Sequence, residues 1–217
     1  MTGPDAVLRE HLAQPDQRSC GATALVVARM LLDRDYADLL VLGRHPATGF
    51  AVPGSLASRF RDEVLTMHRR VTGPVDATGR LQLPWPRALG TPPWAVARQL
   101  SATAGSGLPR ASHTVVAARA DRGALFDRIV AALAQGRPVP VYVGSRWLPR
   151  HVVLFLGGTP AGAAWAGTER AVRCYDPARG RVVDVDREAF VGGRLGLGRW
   201  RQVWFAVLPS LPPPPSL

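Results

Sequence analysis

Residues 20–32 read CGATALVVARMLL and carry one charge, Arg29. A helix that is apolar nearly all round is a buried helix, so the chain has to fold around this segment. Ser19 is expected to cap it by accepting a hydrogen bond from an otherwise unpaired N–H of the first turn. Cys20 then stands at the helix mouth, where free N–H groups and the positive end of the helix dipole favour an anion. A thiolate is the form of cysteine that attacks. A buried structural thiol is the commoner fate of such a residue, so a base and an orienting acid elsewhere in the chain decide the matter.

With 217 residues, 47% of them hydrophobic, the chain fits a single globular domain. Residues 1–207 are expected to form it, with 208–217 as a proline-rich tail. No uncharged apolar run reaches the ~18 residues of a membrane span. The opening MTGPDAVLREHLAQPDQ has no basic start followed by an apolar stretch, so it does not read as a signal peptide. Two cysteines make no disulfide framework, and the expected compartment is the cytoplasm.

The net charge of +11 comes from 27 arginines. The sequence has no Lys, no Asn and a single Ile, Ile129, a bias that indicates a GC-rich genome. The positive field would attract nucleic acid or acidic polymers. Without Lys there is no P-loop lysine, Schiff base or lysine general base. Without Asn there is no Cys-His-Asn triad, so an orienting third residue must be Asp, Glu or Gln.

Residues 5–12 suit a short lead-in helix, and the Cys20 helix is expected to end near Asp33-Arg34-Asp35. Residues 36–55 mix turn signals with short apolar pieces. The spacing of Leu56, Phe60, Val64 and Met67 predicts a helix over 56–70. Another is expected over 93–104, with Pro93 in its first turn and Gly105-Ser-Gly107 breaking it. After residue 113 the texture changes. A strand at 114–118 and an amphipathic helix at 122–135 are followed by β-like runs at 139–143, 152–156, 171–175, 182–185 and 202–207. Tight spacing favours antiparallel pairing. Helices first and then a sheet-rich half make an α+β arrangement. Pro212–Pro215 fall in the tail.

Of the five histidines, His68 is expected to be solvated beside Arg69-Arg70. His151 differs from the rest, because it opens the run HVVLFLGG after a preceding strand, PVPVYVG. A histidine at the start of a buried strand has its backbone held by the sheet and its ring free to face a cleft. Asp176 follows 25 residues later, where a strand ends at Pro177. Antiparallel pairing of the two strands brings His151 near Asp176. The carboxylate would then hold one ring nitrogen and leave the other for the cysteine.

In this order the chain resembles papain-fold cysteine peptidases of the bacteriocin-processing group. The residues that carry the resemblance are Gln14-x5-Cys20-Gly21-Ala22-x-Ala24-Leu25, Gly136-Arg-Pro138-Val139, His151-Val-Val, Asp176-Pro177-x-x-Gly180 and Arg187-Glu-x-Phe190. The resemblance implies a papain-like fold, N-terminal helices packed on a C-terminal antiparallel sheet. It implies Cys20 as nucleophile, His151 as general base and acid, and Asp176 as orienter. It also implies that Gln14, rather than the competing Gln17, donates its side-chain amide to the oxyanion beside the Cys20 N–H. A donor so aimed is worth about 3–4 kcal/mol. No cofactor is implied. The chain departs from the group at Ser19, where those peptidases usually carry Asp, and in residues 36–113, an insertion or elaboration with Trp85 and several prolines.

The expected activity is thiol-dependent hydrolysis of an amide bond in a protein or peptide through an acyl-enzyme. The same triad serves acyl transfer, transglutamination and deamidation. A reading from another class is a non-catalytic, arginine-rich protein that binds nucleic acid or an acidic partner, supported by charge alone. Gly192-Gly193-x-x-Gly196-x-Gly198 reads as a loop. No metal-ligand spacing is present. Cys174 reads as a buried thiol, with proximity to Cys20 through its neighbour Asp176 as the alternative.

Overall fold

The computed structural model describes residues 8–86, 90–103, 109–119, 121–156 and 170–210. Residues 5–7 of the expected lead-in helix, the Gly105–Gly107 break and Pro212–Pro215 lie outside them. Helices α1 (Cys20–Leu32), α2 (Arg34–Leu42), α3 (Leu56–Thr72) and α4 (Pro93–Ala102) precede the first strand. Strand β1 (His113–Ala117) and helix α5 (Arg122–Ala134) follow. Next come β2 (Val139–Gly144), β3 (Pro149–Leu156), β4 (Ala171–Asp176), β5 (Arg181–Asp186), the short helix α6 (Arg187–Val191) and β6 (Gln202–Pro209).

The six strands form one antiparallel sheet in the order β1-β6-β2-β3-β4-β5. The molecule is α+β, as the run of helices before strands implied. Side chains alternate across the sheet. Val152, Leu154 and Leu156 of β3 join a core with α1–α4, while Val153 and Phe155 join a second core with α5 and α6. The helices therefore cover both faces. On the second face Phe190 of α6 contacts Phe126 and Phe155 edge-on, with ring centroids 5.2 and 5.9 Å away.

The region 36–113 is part of this core, through Phe60, Val64 and Met67 of α3 and Val96 and Leu100 of α4. Helix α2 sits where turns were expected. Asp33 ends α1 and caps α2, its carboxylate accepting the Tyr36 N–H (3.1 Å), and Gly43 closes α2 with a left-handed backbone (φ 69°). Only Tyr36, Ala37 and Leu40 are buried along it, too few apolar positions to stand out from the flanking turn residues. His68 is buried on α3 rather than solvated, because α3 turns that face toward the core.

Candidate active site

Helix α1 begins at Cys20, but Ser19 does not cap it through its side chain. The Asp16 carboxylate instead fixes the turn that leads into the helix, accepting the N–H groups of Arg18 (2.8 Å) and Ser19 (2.9 Å). Ser19 is fully buried, and its carbonyl receives the first helical bond, from Thr23 N–H (2.8 Å). Burial pushes the Asp16 carboxyl up, but these N–H groups, the Ser19 hydroxyl and the charge of His68 prevail and hold it below its ordinary range. Gly21 leaves room beside Cys20: a Cβ there would stand 2.6 Å from that of Thr91.

Strand β3 carries His151 opposite Val143 of β2, and the register shifts at the next step, Gly144 pairing with Pro149. Asp176 is the last residue of β4, which pairs with β3 as expected. The His151 Nε2–H donates to Asp176 Oδ1 at 2.7 Å, with both side chains buried. The same oxygen accepts the Ala178 N–H (3.0 Å). Nδ1 is left for another partner, and Cys20 lies within electrostatic and hydrogen-bonding reach of the ring. Burial alone would lower the imidazole pKa. Hydrogen bonds to Asp176 and Cys20, and the charges of both, overturn this and raise it to about 9. The Asp176 carboxyl is held low, because its bond to His151, the His151 charge, the Ala178 N–H and the Arg179 charge outweigh burial.

The turn after Asp176 ties a third segment to the pair. Gly180 has φ +62°, and a Cβ on it would meet the His11 carbonyl oxygen at 2.3 Å. That close approach lets the Gln14 N–H bond to Pro177 O (2.8 Å) and the Tyr175 hydroxyl bond to Leu12 O. The Gln14 Nε2 donates to Asp16 O at 2.6 Å, and its Oε1 is buried without a partner among the described residues. One amide hydrogen of Gln14 is therefore engaged locally.

A cavity of about 490 Å³ opens on Cys20 and His151. Gln17 lines it and Gln14 does not. Its floor is fixed by the Tyr142 hydroxyl, which donates to Thr91 O at 2.9 Å. Burial, followed by the charge of Cys20, drives the Tyr142 phenol well above its ordinary range, so that hydroxyl stays a donor. Asp16, Thr91 and Tyr142 were not singled out from the sequence; Asp16 alone left a signal, an acid just before an apolar helix.

The remaining histidines stand apart from this pair. His11 is exposed, and His45 Nδ1 accepts the Thr48 N–H in a turn (3.4 Å). Burial lowers His113 at the start of β1 to about 4, against the Ala111 carbonyl bond. Cys174 is fully buried in the α5 core while Cys20 belongs to the α1 core, and both thiols are free. The Gly192–Gly198 run is turn and loop after α6. Among the described residues no group of three or more His, Cys, Asp or Glu is placed to hold a metal ion, and no helix is long and apolar enough to cross a membrane.

An imidazole held by a carboxylate on one nitrogen and facing a thiol with the other can take the thiol proton and return it to a leaving group. No family model matches the chain, and no curated protein matches it.

Proposed function

We propose that the chain is a thiol-dependent amide hydrolase, a cysteine peptidase of papain-like fold. The observation that carries this reading is the buried His151–Asp176 pair at 2.7 Å, its imidazole raised by Asp176 and then by Cys20, with Cys20 and His151 lining one cavity. The thiol-bearing helix packed on an antiparallel sheet that supplies His and Asp supports the papain-like architecture.

In the proposed reaction Cys20 sulfur bonds to the substrate carbonyl carbon. As the C–N bond breaks, the proton held by His151 passes to the departing amine. Water then attacks the thioester, His151 takes its proton, and the C–S bond breaks to release a carboxylic acid and restore the thiol. Asp176 stays ionised and steadies the imidazolium. Gln14, implied by the resemblance, is the proposed oxyanion donor together with the Cys20 N–H.

Alkylation by iodoacetamide near neutral pH, followed by intact mass, tests the pairing. Rapid labelling at Cys20 that slows by about 10²-fold or more in His151→Ala is the expected result. Labelling unchanged in that variant would overturn it. Mass spectrometry of a treated peptide mixture then reads the acceptor: cut chains for water, crosslinks for an amine, deamidated glutamine for a side-chain donor.

A further inference from the structure

The cavity beside Cys20 and His151 carries information that the catalytic groups do not. Its walls include Trp85, Trp94, Tyr142, Leu148, Val152 and Phe205. Trp85 and Trp94 meet edge to face with centroids 5.1 Å apart, which gives one wall a fixed aromatic shape. The charged residues of the lining, other than the catalytic pair, are Arg18 and Arg150, and no Asp or Glu is among them. Arg18 lies two residues before Cys20 and Arg150 directly before His151, and both line the same cavity as the reacting groups. Neither forms an ion pair with a described residue.

A small residue at the scissile carbonyl would leave about 490 Å³ of largely apolar cavity without partner atoms. A glycine at that position therefore does not suit this wall. Apolar surroundings also focus the field of the two guanidinium groups. A carboxylate entering a cavity lined by two arginines without an ion pair among the described residues has cationic donors to meet, and a guanidinium can hold a carboxylate with two hydrogen bonds.

Resting on the hydrolase reading, we propose that the substrate is a peptide with an aromatic or large aliphatic side chain beside the scissile carbonyl and an acidic residue next to it. The apolar side chain fills the cavity bounded by Trp94 and Leu148. The acidic side chain faces Arg18 and Arg150.

Three peptidyl chloromethyl ketones, acetyl-Glu-Phe, acetyl-Glu-Gly and acetyl-Lys-Phe, test this on the full chain. In each, sulfur displaces chloride as the C–S bond forms, so the rate at which Cys20 gains mass reports recognition without requiring turnover. The Glu-Phe probe is expected to react at least about tenfold faster than Glu-Gly. It should also outpace Lys-Phe several-fold at low salt, with that gap closing at high salt. Arg150→Gln should shrink the Glu-over-Lys gap. Leu148→Ala should shrink the Phe-over-Gly gap, and because Leu148 is 50% exposed this variant remains folded where Trp94→Ala is at risk. Equal rates for Phe and Gly, or for Glu and Lys, would overturn the proposal. Iodoacetamide separates the two layers of argument. Fast, His151-dependent alkylation without probe discrimination sinks the specificity alone, whereas slow, His151-independent alkylation sinks the hydrolase reading beneath it.

Discussion

His151 keeps its proton because its hydrogen bonds to Asp176 and Cys20 outweigh burial, and this ties a pH profile to a stability curve. The imidazole rises from 6.5 to about 9 on folding. A raised pKa stabilises the folded state fully below the unfolded value and loses that contribution as pH climbs through the folded one. The shift corresponds to about 3 kcal/mol, shared among the groups around the ring. Thermal unfolding of the wild type is therefore expected to weaken between about pH 6.5 and 9, and a His151→Gln variant should lack that component. A flat wild-type curve across this window would contradict the pairing. Under the proposed function the same proton sets the alkaline limb of kcat/KM near pH 9. Asp176→Asn, which removes the anion but keeps a hydrogen-bond acceptor, should move that limb down. The oxyanion role is also decided at this scale. Gln14→Ala is expected to cost about 10²–10³ in kcat with little change in KM; a larger loss in Gln17→Ala would transfer the role to the glutamine that lines the cavity.

At the scale of elements, the β4–β5 turn is a joint rather than a connector. Gly180 is needed there twice, for its left-handed backbone and for the space that the His11 carbonyl occupies. Gly79 has φ +81° with nothing within 4 Å of an added Cβ, so it pays for strain alone. Gly79→Ala should cost about 1–2 kcal/mol in urea unfolding. Gly180→Ala should cost more and also slow Cys20 alkylation, because the Gln14–Cys20 segment is anchored to this turn. Equal losses would mean that the His11–Gln14 contact contributes nothing. Much at this level was legible in the residues. The Cys20 helix was legible from its nearly unbroken apolar run, α3 and α5 from their spacing, and the strands of the second half from their β-like runs, while the Asp-Pro turn pointed to the meeting of Asp176 with His151; the order of the strands in the sheet was not. What escaped depended on partners distant in space or on competition between neighbours. The Ser19 side chain does not cap the helix, and the turn before it is held by Asp16, whose carboxylate serves the N–H groups of Arg18 and Ser19 at once. His68 followed its helix into the core despite two flanking arginines. Which of Gln14 and Gln17 lines the cavity depends on the way a loop faces, which spacing does not encode.

For the molecule as a whole, the sheet places its last strand inside, next to the edge strand β1. Strand β6 lies between β1 and β2, so both depend on residues 202–209 for pairing. Truncation after residue 200 is expected to abolish cooperative unfolding in urea, since β2 loses a partner and β1 loses its place in the sheet. Retention of a cooperative transition would refute that order. The charge of +11 acts at this scale too. Any adhesion to nucleic acid that it causes should fall steeply with salt and survive Cys20→Ala.

The joint between residues 11–14 and the Asp176 turn, together with the late entry of β6, makes timing a property of the architecture. Cys20 is synthesised early, Asp176 more than 150 residues later, and the strand that closes the sheet later still. On a ribosome the nascent thiol has no carboxylate-held imidazole to meet. The site is built as a latch, so Cys20 meets its histidine and aspartate partners only after the strands that carry them have been made.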